Sequence, residues 1–178
     1  YNLLVMQDCA QSYSSYYLNK ACGTQADLAT FSFHETKNYN AGGEGGALVV
    51  NNKNLVERAY YLQEKGTDRT KVLHGVKTKY HWVDKGSSFL LSDILASILF
   101  SQLESELDIK KMRSNVTKSY SLFFEKNIHY PIQTISFPES CNVNHHAYWI
   151  IFDNIKNKDS FLSNLKSYNV HAYIGYTP

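Results

Sequence analysis

The chain has 178 residues, of which 43% are hydrophobic and 19% charged, and this composition is typical of one globular domain or of one domain and part of another. Its formal net charge of +2 is small and is not gathered into a basic stripe, which argues against nucleic-acid binding. Three cysteines without a CxxC spacing indicate neither a disulfide framework nor a metal site, and no apolar run reaches the ~20 residues of a membrane span, so a reducing, cytoplasmic setting fits best.

The first predicted element is a buried strand over residues 2–8, which delivers Asp8 at its carboxyl end. Ligands of open α/β sheets sit beyond the carboxyl ends of the strands, so a functional carboxylate belongs there. Gln11 follows three residues later and can share the same pocket if the chain turns at this point. The alternative role for Asp8 is a helix or turn cap. Residues 12–25 are polar and aromatic and predict a loop.

The next stretch holds a lysine between two short apolar runs, at residues 28–33 and 47–50, which predict buried strands of a parallel or mixed sheet. Lys37 comes just after the first of these strands, where loss of water favours the neutral amine that attacks carbonyl groups. Four glycines within residues 42–46 allow a tight backbone path close to a ligand. The alternative is a solvated hairpin loop in which the lysine has no role.

The middle of the chain predicts helices on either side of a basic segment. Residues 51–66 predict a helix with an asparagine cap and a glycine stop. Residues 67–85 are irregular and basic, which suits either an anionic ligand such as a nucleotide-sugar phosphate or, more often, a solvated surface loop. Ser92 predicts the cap of an apolar helix over residues 93–107, whose composition indicates burial in the protein or at a subunit interface.

A more polar helix is predicted over residues 109–126, and a different pattern of elements follows it. A strand, a helix and a second strand are predicted at 147–152, 158–167 and 170–174. The fold class is therefore α/β, with a large-domain portion, a connecting helix and part of a small carboxyl-terminal domain at residues 1–108, 109–126 and 127–178. Because strand patterns run up to both ends, we expect the chain to be cut from a longer protein.

Together these parts form the set that pyridoxal phosphate chemistry requires. A lysine amine forms a Schiff base, and a carboxylate keeps the ring nitrogen protonated. Hydroxyl and backbone donors hold the phosphate, and the lysine also moves the proton between substrate and cofactor.

Two segments resemble the signature stretches of the DegT/DnrJ/StrS family of sugar aminotransferases, namely QDCAQSY at residues 7–13 and FSFHETKNYNAGGEGGALV at residues 31–49. The likeness continues through LVERAYYLQEKGTDR and KYHWVDKGSSFLLSDILAS. It implies an aspartate-aminotransferase-like, fold type I transferase with pyridoxal 5'-phosphate as cofactor. The implied reaction is transamination of a nucleotide-linked keto-sugar, with dTDP-4-keto-6-deoxyglucose as acceptor and glutamate as amino donor, for surface-polysaccharide synthesis. The implied assembly is a homodimer whose subunits share the active site.

The resemblance also assigns roles to individual residues. Lys37 is implied as the Schiff-base lysine, Asp8 as the partner of the pyridinium nitrogen, and Gln11 as a neighbour of the ring hydroxyl. Ser32 is implied as a phosphate ligand. Ser88 stands where the family places an asparagine that reaches the phosphate of the neighbouring subunit's cofactor.

Some features depart from the family pattern. The segment at residues 173–177 lacks the proline and histidine of the family, which affects substrate contacts. The resemblance also implies that the family's amino-terminal segment lies outside these 178 residues. We therefore expect the isolated piece to be inactive.

Two other hypotheses are a sugar dehydratase on the same scaffold and a non-catalytic α/β module. Dehydratases of this kind replace the lysine with histidine, so Lys37 argues against the first hypothesis. The segment GGEGG lacks the spacing of a P-loop, so a phosphate-binding P-loop in a non-catalytic module is not supported.

Overall fold

A computed structural model of the chain describes residues 1–127 and 131–175. The strands within these residues are β1 (Met6–Asp8), β2 (Tyr16–Tyr17), β3 (Lys20–Ala21), β4 (Leu28–Ser32), β5 (Gly46–Val50), β6 (Ile132–Thr134), β7 (Cys141–Asn142) and β8 (Ile150–Phe152). The helices are α1 (Lys53–Gln63), α2 (Arg69–Leu73), α3 (Asp93–Glu104), α4 (Glu106–Lys126) and α5 (Ile155–Ser167).

The chain divides into two compact units. Unit 1 consists of Tyr1–Arg113 and Glu139–His146, and unit 2 of Ser114–Pro138 and Ala147–Pro178. The short segment Glu139–His146 therefore belongs with residues that lie far from it in sequence. The boundaries predicted from the sequence at residues 108 and 126 stay a prediction.

Unit 1 is built on a mixed sheet in the order β1-β4-β5. Strand β1 runs parallel to β4, and β5 runs antiparallel to β4. The two strands predicted around the lysine are thus confirmed. The predicted strand at residues 2–8 is shorter and more exposed than expected, because β1 lies at the edge of this sheet in the described part of the chain. Leu3 is 74% exposed and Val5 56%.

The loop predicted over residues 12–25 contains a small hairpin instead. Strands β2 and β3 are joined at Leu18 and Asn19, whose φ angles are 48° and 61°. Two consecutive positive φ values are the signature of a type I′ turn, which normally carries glycine. The absence of glycine at this turn explains why the sequence did not indicate a hairpin. Strand β7 pairs with the other edge of β2 and so attaches Glu139–His146 to unit 1.

Helix α1 confirms the predicted helix and its asparagine cap. The Asn52 side chain accepts a hydrogen bond from the Asn54 backbone N–H at 3.1 Å. The chain turns at Gly66, where φ is +78° and an added Cβ would lie 2.0 Å from the Asp84 carbonyl oxygen. Only glycine fits this position.

Helix α3 begins at its predicted cap, Ser92, but within this chain most of its surface is exposed, and its predicted burial at a subunit interface stays a prediction. Leu99 is the buried residue of this helix, while Ile94 is 75% exposed and Phe100 61%. One stripe packs on the core of unit 1, which is formed by Phe33, Tyr39, Ala41 and Leu99. The apolar composition of α3 therefore exceeds what this core covers. No helix in the described ranges is long and apolar enough to cross a membrane.

Unit 2 differs from the predicted strand–helix–strand arrangement. Strand β8 pairs antiparallel with β6, a strand that the sequence did not predict. Helix α5 starts at Ile155, earlier than predicted, because Asn154 caps it by accepting from the Asn157 N–H at 2.9 Å. The strand predicted at 170–174 is wrong, since the Val170 N–H bonds the Leu165 carbonyl in the helix cap. The diverged segment at 173–177 is described only in part, because Tyr176 and Thr177 lie outside the described residues.

The basic segment at residues 67–85 is folded around one acid rather than left as an open loop. Asp68 is 1% exposed and accepts hydrogen bonds from the Lys77 ammonium at 2.5 Å and the His81 backbone N–H at 2.7 Å. Lys71 forms an ion pair with Glu57 at 2.6 Å. Two of the lysines that suggested an anion site thus have acidic partners within unit 1.

Replacing Asp68 by Asn should lower the thermal unfolding midpoint at neutral pH by several degrees. The Lys77 hydrogen bond, followed by the His81 N–H, lowers the pKa of Asp68 from its ordinary 3.8. Its stabilising effect is therefore complete above pH 3.8 and is lost as the pH falls through the lower folded-state pKa. Unfolding scans from pH 7 to 3 measure this, with the exposed Glu125→Gln as control. A variant as stable as the wild type at pH 7 would contradict the assignment.

Candidate active site

Three of the predicted site residues line one small cavity in unit 1. Gln11 follows β1, Ser32 is the last residue of β4, and Lys37 lies in the turn that leaves β4. This turn is closed by a hydrogen bond from the Lys37 backbone N–H to the His34 carbonyl at 2.9 Å. The structure therefore brings Gln11, Ser32 and Lys37 to the lining of one cavity.

The other two predicted residues lie outside the lining of this cavity. Asp8 ends β1, paired with Thr30 of β4, and its carboxylate accepts from the Ala10 backbone N–H at 2.9 Å. That bond is the turn cap considered as its alternative role. Ser88 forms an isolated bridge with Glu64, next to the end of α1. The cofactor roles of Asp8 and Ser88 stay predictions.

An aromatic cluster supports the turn that carries Lys37. The Tyr13 ring meets those of Phe33 and Tyr39 edge to face, with centroids 5.7 and 5.0 Å apart. Tyr39 is 2% exposed, and its hydroxyl donates to the Glu106 carbonyl at 3.1 Å. Because Tyr39 is two residues after Lys37, this packing fixes the backbone from which the lysine side chain projects.

The glycine cluster serves backbone packing in this structure. An added Cβ at Gly45 would lie 2.9 Å from the Ala41 Cβ. At Gly42, where φ is +71°, it would lie 3.1 Å from Ile98 of α3. The glycines let the chain fold back tightly between β4 and α3, so their close neighbours are other parts of the protein.

A buried asparagine from the distant segment Glu139–His146 joins this site, and the sequence reasoning missed it. Asn144 is 6% exposed, and its side-chain amide donates to the carbonyls of Gln11 and Tyr13 at 2.9 and 2.8 Å. The backbone carbonyl of Asn144 accepts a hydrogen bond from the Asn38 side-chain amide at 2.8 Å. Asn144 thereby ties the loop after β1 to the turn that holds Lys37.

His146 is the second residue of the site that the sequence reasoning missed. Its Nδ1 lies 2.9 Å from the Asn38 Oδ1, and its backbone N–H donates to the Asn144 side chain at 3.0 Å. Burial lowers the pKa of His146, and the nearby charges of Lys37 and Arg113 lower it further. The only local signal is the polar run Asn142–His146, which precedes an apolar strand.

Comparisons with known proteins identify the family to which the chain belongs. The profile of the DegT/DnrJ/EryC1/StrS aminotransferase family matches residues 1–178. The chain is 32% identical over 151 residues to GDP-perosamine synthase of Escherichia coli O157:H7, covering 84% of this chain and 37% of that protein. It is 31% identical over 176 residues to dTDP-3-amino-3,6-dideoxy-alpha-D-galactopyranose transaminase of Aneurinibacillus thermoaerophilus, covering 99% and 44%.

Solved structures show the same fold. Helicobacter pylori PseC, an aminotransferase involved in the biosynthesis of pseudoaminic acid, matches with a TM-score of 0.84 at 24% identity over 99% of this chain and 46% of that one. The putative sugar aminotransferase Spr1654 from Streptococcus pneumoniae, in its PMP form, matches with a TM-score of 0.84 at 20% identity over the same shares. The predicted α/β transferase fold is confirmed. The chain spans less than half the length of the relatives it matches.

Proposed function

The chain belongs to the DegT/DnrJ/EryC1/StrS aminotransferase family, as its motifs predict, and from this we propose that it carries the lysine-bearing part of a pyridoxal 5'-phosphate site that aminates a nucleotide-linked keto-sugar. One observation carries the proposal. The cavity of unit 1 gathers an amine, a hydroxyl and an amide, from Lys37, Ser32 and Gln11, at the carboxyl ends of two parallel strands.

The groups present fit this cofactor. Its aldehyde requires an amine, its phosphate requires hydroxyl and backbone donors, and its ring hydroxyl requires a hydrogen-bonding neighbour. Lys37, Ser32 and Gln11 supply one of each. When bound, pyridoxal phosphate supplies an electron sink that stabilises negative charge on the substrate carbon.

The residues of this chain then have distinct tasks. The Lys37 Nζ would hold the cofactor and, once the amine of the substrate had displaced it, would be free to take up and return the proton at the substrate carbon. The Asp8 carboxylate, at the end of β1, would favour the protonated form of the ring nitrogen. The Cys9 backbone N–H donates a hydrogen bond to the Thr30 carbonyl at 2.8 Å. This bond keeps the ends of β1 and β4 together, which supports the proposal that Asp8 and Ser32 act on the same ligand.

The substrate and the assembly belong to the same proposal. We take dTDP-4-keto-6-deoxyglucose as the acceptor and glutamate as the amino donor, which makes the product dTDP-4-amino-4,6-dideoxygalactose for surface polysaccharide. Named relatives make GDP-, UDP- and dTDP-linked amino sugars, which supports a nucleotide-sugar acceptor in general. A cytoplasmic homodimer, with Ser88 reaching the partner's phosphate, completes the proposal, and the exposed apolar side of α3 is compatible with such an assembly.

The competing hypotheses have less support. A sugar dehydratase of this scaffold does not need a lysine in the cavity, whereas Lys37 lines it. A non-catalytic module does not need Gln11, Ser32 and Lys37 at one place.

The substrate is tested with the complete gene product. Incubated with pyridoxal phosphate, glutamate and dTDP-4-keto-6-deoxyglucose, it should form a dTDP-amino sugar that mass spectrometry detects. Protein reduced beforehand with borohydride is the control and should be inactive. Amination of the 3-keto isomer alone would correct the regiochemistry. Failure with dTDP-, GDP- and UDP-linked keto-sugars alike would overturn the proposed function.

A further inference from the structure

The hydrogen bonds of Asn38 fix the orientation of its side-chain amide. Its Nδ2 lies 2.8 Å from the Asn144 carbonyl oxygen, which can only accept. The amide nitrogen must therefore face Asn144, and the Asn38 Oδ1 must face the His146 ring at 2.9 Å from its Nδ1.

This orientation determines the tautomer of His146. An amide oxygen can only accept, so the Nδ1 of His146 must carry the proton. In the neutral ring the other nitrogen, Nε2, then bears the lone pair and accepts a hydrogen bond. The backbone around the ring is held as well, since Arg113 donates to the carbonyls of His145 and His146 at 3.1 and 2.9 Å.

The charged groups that face His146 favour this neutral form. Lys37, in the turn after β4, lines the same cavity as His146, and Arg113, in α4, donates to the His146 backbone carbonyl. Both are cations, and both act on the ring together with its burial to lower the pKa of His146 from 6.5. A neutral imidazole with a defined acceptor nitrogen therefore lines the same cavity as the Lys37 amine.

We propose that His146 is a positioning residue for Lys37, held by Asn38 in the Nδ1–H tautomer so that its Nε2 stays available to accept a hydrogen bond from the lysine amine when a ligand enters the cavity. No proton leaves the pair in this arrangement, because His146 acts as an acceptor that orients the amine. The consequence for turnover rests on the proposed function, whereas the tautomer and the coupling to Lys37 do not.

The tautomer is tested in the cofactor-free complete protein by long-range ¹H–¹⁵N correlation spectra after selective ¹⁵N-histidine labelling. The His146 signals are those lost in His146→Gln, and the exposed His74→Gln checks the assignment. The expected pattern is a protonated Nδ1 and a bare Nε2 at pH 7, with a titration midpoint below 6.5. A protonated Nε2, or an imidazolium at pH 7, would overturn the proposal.

The coupling to Lys37 is tested in the same spectra. Lys37→Met removes a neighbouring cation, so the His146 midpoint should rise, while the exposed Lys53→Met should leave it unchanged. An equal midpoint in both variants would show that Lys37 and His146 do not interact, and would also overturn the proposal.

Steady-state kinetics of His146 variants distinguish a positioning role of this residue from a purely structural one. His146→Leu, which has neither a donor nor an acceptor, should lower kcat by up to about 100-fold, the scale of a misplaced reacting group. His146→Gln, which keeps both, should recover part of the loss, and KM should change little in either. Equal losses in the two variants would refute positioning. A colourless wild-type protein with the expected tautomer would refute the proposed function and leave the His146 geometry standing.

Discussion

Replacing Lys37 by Ala is expected to abolish amino transfer in the complete protein. If Lys37 has the role proposed above, the variant loses both the amine that would bond the cofactor and the group that would move the proton at the substrate carbon. Proton transfer by a positioned group alone contributes about 10²–10⁴-fold, so the rate should fall by at least that factor. The loss is measured as amino sugar formed per enzyme, together with the visible absorbance of the protein mixed with pyridoxal phosphate.

The control for this variant is Lys53→Ala, at an exposed position at the start of α1. It should keep both the colour and the rate. The packing of Tyr13, Phe33 and Tyr39 does not include the Lys37 side chain, so Lys37→Ala should stay folded. A folded Lys37→Ala protein that retains most of the wild-type rate would contradict the assignment of Lys37.

The second large effect is expected for Asp8→Asn. This change keeps the size of the side chain and an oxygen that can accept from the Ala10 N–H, so the end of β1 should be preserved. In the role proposed for Asp8, it removes the charge that would keep the ring nitrogen protonated. Covalent attachment of the cofactor should therefore survive, while transamination should fall by about 10²–10³-fold, the scale of one lost preorganised partner.

The matched control is Asp108→Asn, at an exposed position in the first turn of α4. Single-turnover absorbance and the steady-state rate together separate attachment from transfer. Normal turnover in Asp8→Asn would show that the role proposed for Asp8 is wrong. Loss of the folded state along with the colour would show that the charge of Asp8 is needed for the fold, and would contradict a role confined to the cofactor.

The parts of the site that could be predicted are those encoded within short stretches. Apolar runs indicate β4 and β5, and Lys37 follows the first of them within five residues. The strand-end argument then places Gln11 near it, while Ser32 was assigned through the family resemblance. These inferences need only local patterns and a general rule about where strands end.

The contributions of Asn144 and His146 could not be predicted in the same way. Asn144 reaches Gln11 across 133 residues, and His146 reaches Asn38 across 108. Nothing in the local sequence specifies such a contact, because it depends on how β7 pairs with β2. The predicted strand at 170–174 failed for a related reason, since the available partner of β8 was β6.

Burial was also predicted less well than secondary structure. An apolar strand or helix is expected to be covered, yet Val5 and Ile94 are exposed in the described residues. Hydrophobicity indicates that a surface favours contact, and the partner of that surface is a separate question.

The proposed function depends most directly on which lysine amine binds the cofactor. The complete protein is mixed with pyridoxal phosphate, reduced with borohydride and digested, and the peptides are sequenced by mass spectrometry. The pyridoxyl group is expected on Lys37 in the peptide that contains FSFHETKNYN. Modification of another lysine in place of Lys37, or no stable modification, would contradict the account.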